Sequence, residues 1–281
     1  MKMEFSVLMS VYYKEKPEYL KLALDSVLEQ TVTAAEIVLI KDGPLTKELD
    51  EVIEEYDKKY SGLFRIFALE KNVGLGKALN FGVQQCKYDL IARMDTDDIA
   101  MPNRFELLIK EFAQDNDLAL CGGQIAEFEK EPQIISGYRK VPLARDEIVK
   151  FAKKRNPFNH MTVMFKKQAV LDAGNYQDMP YFEDYWLWVR ILQKGYVVKN
   201  IEQFLVNVRA GAEMLGRRGG LNYVKASCRF LKATYNSGML SYLGYRMILF
   251  IRISVVMMPA CIRKFLYSKM LRKSGDNNYD T

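Results

Sequence analysis

Over its first 122 residues the chain alternates short apolar runs with stretches of helical periodicity, and few folds accommodate that rhythm. Residues 5–11 are short, apolar and β-like. Pro17 then suits the first turn of a helix carrying Leu20, Ala23, Leu24, Val27 and Leu28 at helical spacing. Residues 36–40 form a continuous apolar strand ended by Asp42-Gly43-Pro44, and Thr46 can cap a helix whose inward face is Leu49, Val52, Ile53 and Tyr56. A third strand at 64–68, a glycine-bearing loop running into a helix over 72–82, a fourth strand at 89–92 and a helix after Pro102 continue the pattern to a strand at 118–122. Strands alternating with helices predict an α/β fold with a doubly wound, mostly parallel sheet. In such sheets ligands bind beyond the carboxyl ends of the strands. Asp42, the 72–80 loop and Asp95-Thr96-Asp97-Asp98 all fall there.

The last of these is chemically the most demanding. Three carboxylates within four residues raise one another's pKa, and a divalent cation carrying a phosphorylated ligand would suit them. Other chemistries are poorly supplied. His160 is the only histidine, which disfavours zinc, and no Gly-x-Ser-x-Gly elbow is present. Four dispersed cysteines without a CxxC pair read as a reduced, intracellular protein, and Glu4 interrupts any signal-peptide pattern. Gly74-Leu75-Gly76 could pass for a dinucleotide fingerprint, but Leu79 stands where the third glycine would be and the loop follows the third strand.

Beyond residue 122 the rhythm loosens. A hairpin and a helix near 148–152 are expected between 125 and 160, followed by a strand at 160–165. A helix at 183–194 closed by Gly195 and strands at 196–200 and 204–208 come next. Gly211 to Gly220 reads as a mobile loop. Three amphipathic helices are expected near 221–235, 241–257 and 262–272, and the last eight residues look disordered. The net charge of +6 hides an asymmetry: between Arg217 and Lys273 lie 12 Lys or Arg and no acid, leaving 29 bases against 35 acids elsewhere. The 16 mostly apolar residues at 247–262 contain Arg252 and Pro259, too short and too broken to span a bilayer, so these helices are expected to lie on an anionic membrane surface. No nucleic-acid recognition motif accompanies the charge.

The segments Val7-Leu8-Met9-Ser10-Val11-Tyr12, Glu36-Ile37-Val38-Leu39-Ile40-Lys41-Asp42-Gly43, Asn72-x-Gly74-x-x-x-Ala78-x-Asn80-x-Gly82, Asp95-x-Asp97-Asp98 and Glu183-Asp184 occur in this order. Together they resemble the inverting family 2 glycosyltransferases of GT-A fold. The Asp42-Gly43-Pro44 variant and Phe182-Glu183-Asp184-Tyr185-Trp186-Leu187-Trp188 are similar to bacterial O-antigen, capsule and exopolysaccharide transferases. The resemblance covers roughly residues 5 to 208 and implies a nucleotide-sugar donor, Mn²⁺ or Mg²⁺, and a β-linked product. It implies donor contacts from Val11, Tyr12, Glu15, Asp42, Asn72, Lys77, Asp95, Thr96 and Asp97, with Asp42 meeting the base, commonly uracil. It assigns metal binding to Asp97 and places His160 near the metal and diphosphate, while Asp98 reads as a helix cap. Asp184 is implied as the general base, with Glu183 beside it. Trp186 and Trp188 are candidates to stack on the acceptor sugar. Many members carry a basic residue at position 79, where this chain has Leu79.

The organisation expected is a glycosyltransferase domain at 1–210, with a nucleotide-sugar half at 1–122 and an acceptor half at 123–210, followed by a basic membrane-associating extension at 211–281. The activity expected is transfer of a hexose, from UDP-glucose, UDP-galactose or an N-acetyl derivative, to a lipid-linked glycan on the cytoplasmic face of a bacterial membrane, in surface polysaccharide assembly. A sugar nucleotidyltransferase is the enzymatic alternative. It would carry a Gly-rich basic loop after the first strand, where this chain has Tyr12-Tyr13-Lys14-Glu15-Lys16. An inactive membrane-bound scaffold is the other, and the intact Asp95, Asp97 and Asp184 argue against it.

Overall fold

The structure, a computed structural model, describes residues 3–210 and 220–257. The first half follows the expected alternation: β1 (Phe5–Val11), α1 (Pro17–Leu28), β2 (Glu36–Lys41), α2 (Lys47–Lys59), β3 (Phe64–Ala68), α3 (Leu75–Gln85), β4 (Leu90–Arg93), the two-residue β5 (Ile99–Ala100) and α4 (Arg104–Gln114). Then come β6 (Leu118–Phe128), β7 (Ile135–Arg139), α5 (Arg145–Ala152), β8 (Met164–Lys166), α6 (Lys167–Asp172), α7 (Glu183–Gln193), β9 (Val197–Arg209), α8 (Gly220–Asn236) and α9 (Tyr242–Met257). Thr46 caps α2 as its sequence suggests, its hydroxyl accepting the Leu49 N–H at 3.4 Å.

Among the described residues the nine strands join one sheet, in the order β3-β2-β1-β4-β8-β6-β9-β5, with β7 paired to β6. The period-2 geometry of strands explains its two buried faces. Phe5, Val7, Met9 and Val11 of β1 point to the side covered by α1, α2 and α4, whereas Leu8 points to the side covered by α3 and α7. β1 through β4 are mutually parallel. The strand expected at 118–122 does not continue that parallel block directly, because β8 inserts between β4 and β6 and runs antiparallel to both.

Three expectations are revised. Residues 160–162 form a 3₁₀ turn rather than strand, because the Thr162 hydroxyl and N–H both donate to the Asn159 carbonyl, which leaves only Met164–Lys166 for pairing. The strands at 196–200 and 204–208 are one continuous β9, parallel to β6 and shifted in register where it bends. The strand at 118–122 extends to Phe128 and forms the expected hairpin with β7. The helices near 221–235 and 241–257 are present as α8 and α9. The loop at 211–219, the helix at 262–272 and the final eight residues lie outside the described residues.

α8 is bound to the body through aromatic packing. Phe230 stacks on Phe182 at 4.8 Å and lies 4.5 Å from the Tyr185 ring, joining α8 to the start of α7. Arg252 of α9 lies over both Phe182 and Phe230. α9 turns Leu243, Met247, Phe250 and Ile251 outward, Leu243 being 81% and Phe250 72% exposed. Among the described residues no helix is long and apolar enough to cross a membrane.

Helix α3 can approach the sheet because Gly82 has no side chain: a Cβ there would lie 2.5 Å from Leu8 Cδ1 and 3.1 Å from Ile40 Cγ1. Gly82→Val should therefore overpack this face and cost about 1–3 kcal/mol, read as a lowered urea midpoint at unchanged slope.

Candidate active site

Strand β4 ends in a charge arrangement that dominates the surface above it. Asp95, Asp97 and Asp98 each offer a carboxylate oxygen, and these oxygens lie within 4.8 Å of one another. Burial is the first cause that pushes Asp97 up to about 7, with Asp95 and Glu15 adding to it. Asp98 is driven well upward by burial and then by its two neighbours. Asp98 is not the cap of α4, since Asn103 occupies that position. Asp98 is buried within the trio, where its Oδ1 accepts the Arg209 N–H at 2.9 Å. An all-oxygen set of buried, crowded carboxylates fits a hard divalent cation, which would offset both the burial of their charges and their mutual repulsion.

Beneath the trio is a residue the motif reading passed over. Arg93 is fully buried, and its Nη2 pairs with Asp95 Oδ1, leaving Nε and Nη1 without a hydrogen-bond partner. Arg104, also fully buried, donates from Nη2 to the Arg93 carbonyl at 2.5 Å. Its own pKa is pulled down to about 9, by burial first and then by Arg93. From the far side Arg209 closes the cluster, its Nε donating to the Asp97 carbonyl and its guanidinium 3.7 Å from the Tyr19 ring centre. Arg93 could have been noticed as a charge inside the apolar run from Leu90 to Met94, whereas Arg209 is 111 residues from Asp98 and only the fold brings them together.

The expected donor contacts gather around the same strand ends. The Thr96 hydroxyl donates to Glu15 Oε2 at 2.9 Å, and burial raises the Glu15 pKa. Val11 ends β1, and its carbonyl accepts the Asp42 N–H. Tyr12 is half-buried just beyond it. Asp42 is buried and organises the next loop: Oδ1 accepts the Val73 N–H at 2.7 Å, and Oδ2 accepts the Gly74 N–H and the Asn72 side-chain amide, each at 3.1 Å. Gly43 must be glycine, for its φ is +87° and a Cβ would sit 2.5 Å from the Asn72 nitrogen. Lys77 is exposed and lies 3.7 Å from Asp178. Leu79 is core, at 0% exposure.

Glu183 and Asp184 open α7. Asp184 Oδ2 accepts from the Asn156 amide at 2.6 Å, and Oδ1 accepts the Tyr185 N–H at 2.6 Å. Asn156 is itself held through its carbonyl by Arg139. Burial raises the Asp184 pKa despite these bonds. Glu183 is pushed up to about 7, by burial first and by Asp184 second, and its Oε2 is buried without a partner. Glu183 packs against α3 at Gly76, where a Cβ would lie 3.1 Å from its own Cβ.

Two expectations for this side are corrected. Trp188 is fully buried, edge-on to Phe158 at 5.6 Å, so it is core and presents no face for a sugar. Trp186 is half-buried and donates Nε1–H to Gln177, with Arg190 over its ring. His160 is not among the trio whose oxygens converge. Its Nε2 lies 2.8 Å from the Tyr176 hydroxyl, and burial holds its pKa well below the ordinary value, so the ring is neutral.

A model of the family described as Glycosyl transferase family 2 matches residues 6–173. The chain belongs to glycosyltransferase family 2. It is 40% identical over 94% of its length to the amylovoran biosynthesis glycosyltransferase AmsE of Erwinia amylovora, covering 98% of that protein. It is 39% identical over 96% of its length to an Escherichia coli protein named UDP-Gal:alpha-D-GlcNAc-diphosphoundecaprenol beta-1,3-galactosyltransferase, covering 97% of it. Among solved structures, S. aureus TarS 1-349 in complex with UDP-GlcNAc superposes with a TM-score of 0.66 at 15% identity, covering 89% of this chain and 72% of that one. The likeness extends the GT-A-like architecture to this glycosyltransferase.

Two outcomes follow from the site's electrostatics. Removing the Arg93 guanidinium leaves buried carboxylates uncompensated, so Arg93→Ala should lose about 3–5 kcal/mol in urea unfolding. Glu183 ionises near 4.5 when exposed and near 7 when folded, so its contribution to stability is full below pH 4.5 and is lost as pH rises through 7. Glu183→Gln should therefore match the wild type in urea unfolding at pH 4 and exceed it at pH 8.

Proposed function

We propose that this glycosyltransferase transfers a hexose with inversion from a UDP-sugar, such as UDP-glucose, UDP-galactose or an N-acetyl derivative, to a hydroxyl of a lipid-linked glycan in surface polysaccharide assembly. The observation that carries this reading is the pair of acidic sites gathered within reach of Arg93: the trio after β4 and the half-buried Asp184 at the start of α7. The relatives named for amylovoran biosynthesis and for a diphosphoundecaprenol-linked acceptor support the substrate class.

On this reading residues 1–122 hold the donor. Asp42 orders the 72–74 loop for the base, and Val11, Tyr12, Glu15, Asn72 and Thr96 line the nucleoside side, with Lys77 available to phosphate. Asp95, Asp97 and Asp98 would hold Mn²⁺ or Mg²⁺, which would supply positive charge for the departing nucleoside diphosphate. Residues 123–210 hold the acceptor, with Trp186 at its edge. Asp184 takes the acceptor hydroxyl proton as the new C1–O bond forms and the bond to the diphosphate breaks. Asn156 and the Tyr185 N–H fix its two oxygens, so a lone pair is held in one direction. No acid is required, because a diphosphate leaves as an anion.

The extension from residue 211 docks the enzyme on the cytoplasmic face of the membrane. The outward apolar run of α9, Leu243, Met247, Phe250 and Ile251, supports interfacial binding, and Arg246 lies on the same helix.

The test is release of UDP from UDP-sugars with and without Mn²⁺ and a lipid-linked acceptor. Release of pyrophosphate would instead favour a nucleotidyltransferase, and absence of UDP binding a scaffold. Asp97→Ala and Asp184→Ala should each lower transfer by about 10²–10⁴-fold with the fold intact by circular dichroism. Near-wild-type turnover by Asp184→Ala would remove it as the base. Because the folded pKa of Asp184 is raised, the acidic limb of the rate profile should lie above the ordinary aspartate range, activity falling as pH drops through it.

A further inference from the structure

A cavity of about 350 Å³ lies where the segment entering α7 meets α8, lined by Pro180, Tyr181, Asn222, Lys225, Ala226 and Arg229. It is separate from the acidic trio, and its charge is opposite. Lys225 and Arg229 stand one turn apart on α8, both exposed, and neither pairs with a carboxylate among the described residues. No lining residue is acidic. Of the acids nearest in sequence, Asp178 is turned towards Lys77 and Glu183 packs against α3 at Gly76. The nearest carboxylates along α8 are equally remote, because no Asp or Glu occurs between Arg217 and Lys273.

Tyr181 gives the cavity a second distinctive wall. Its φ is +68°, a left-handed conformation that a bulky side chain adopts at a cost, and its ring is 48% exposed. The ring stands edge-on to Tyr223 of α8 at 5.4 Å. The following Phe182 stacks on Phe230, so the segment is clamped to α8 immediately before Glu183 and Asp184. Tyr181 and Asp184 are three positions apart along the chain, so their Cα atoms are at most about 11 Å apart. A single sugar ring with its anomeric phosphate spans such a gap.

We infer that this cavity binds the diphosphate of the lipid-linked acceptor, placing the sugar next to it over Asp184. Arg229 can meet phosphate oxygens with its planar fork and Lys225 as a point charge, while the Asn222 amide and the Tyr181 hydroxyl supply neutral donors. The inference rests on the acceptor class proposed above, and it adds a site outside the family motifs.

The experiment uses the full chain and a short isoprenyl diphosphate as probe, with binding measured by calorimetry. Lys225→Ala/Arg229→Ala should weaken probe binding by about tenfold or more, as loss of two charge-assisted contacts implies. Its affinity for UDP with Mn²⁺ should stay within about twofold, which also reports an intact fold. Co-sedimentation with phosphatidylglycerol vesicles should be unchanged, since that surface contacts many other bases. Equal probe affinity in wild type and variant would overturn the inference. So would loss of vesicle binding with probe affinity retained, which would make the cavity a lipid-headgroup site. If the wild type transfers sugar to no lipid-linked acceptor, the proposed function fails while the probe measurement still reads the cavity.

Discussion

The buried guanidinium of Arg93 is the interaction on which the upper surface of the sheet depends. A fully buried cation is costly unless paired, and Arg93 has one direct carboxylate partner, Asp95, with Asp97, Asp98, Glu183 and Asp184 all within its electrostatic reach. It therefore lowers the cost of gathering acids from β4 and from α7 in one place. The compensation is partial. Burial still leaves Asp97 and Glu183 near 7, so the surface retains a demand for positive charge. A divalent cation would meet that demand, as an all-oxygen set of crowded carboxylates suits one.

The acceptor side is built differently, by bracing rather than by charge. Asp184 is held by Asn156, Asn156 by Arg139 of β7, and the residue before Glu183 is stacked on Phe230 of α8. Strand β7, the loop after α5 and helix α7 thus meet at one carboxylate, and α8 packs on the Phe182 and Tyr185 rings that flank Glu183-Asp184. The C-terminal helices are consequently more than an appendage. The packing of α8 sets the path of the chain into α7, and a shift of α8 would be felt at Asp184.

Much of this was legible before the fold was known. The helical stripe Leu49, Val52, Ile53 and Tyr56 and the Thr46 cap appear as read, because amphipathic periodicity and capping are local. The carboxylate trio and Asp42 were visible as polar residues where apolar strands end, and Glu183-Asp184 as acids opening a helix. What escaped was non-local. Trp188 looked available beside Trp186, but positions two apart on a helix point to different faces, and only packing on Phe158 reveals which face is core. Asp98 looked like a cap because the helix after Pro102 is close in sequence, yet its partner is the backbone of Arg209. The strand expected at 160–165 begins only at Met164, because Asn159 and Thr162 offered the backbone side-chain bonds that compete with pairing.

By itself the sequence determined the alternation of strands and helices, the buried faces and the ends at which acids cluster, since periodicity and turn chemistry act over a few residues. Only the tertiary structure decided that β8 would enter antiparallel between β4 and β6, that Arg93 would sit beneath both acidic groups, and that α8 would meet the segment before Asp184. These arrangements depend on which distant surfaces bury each other. Burial sets the cost of a charge or the orientation of a ring, and no local pattern encodes it.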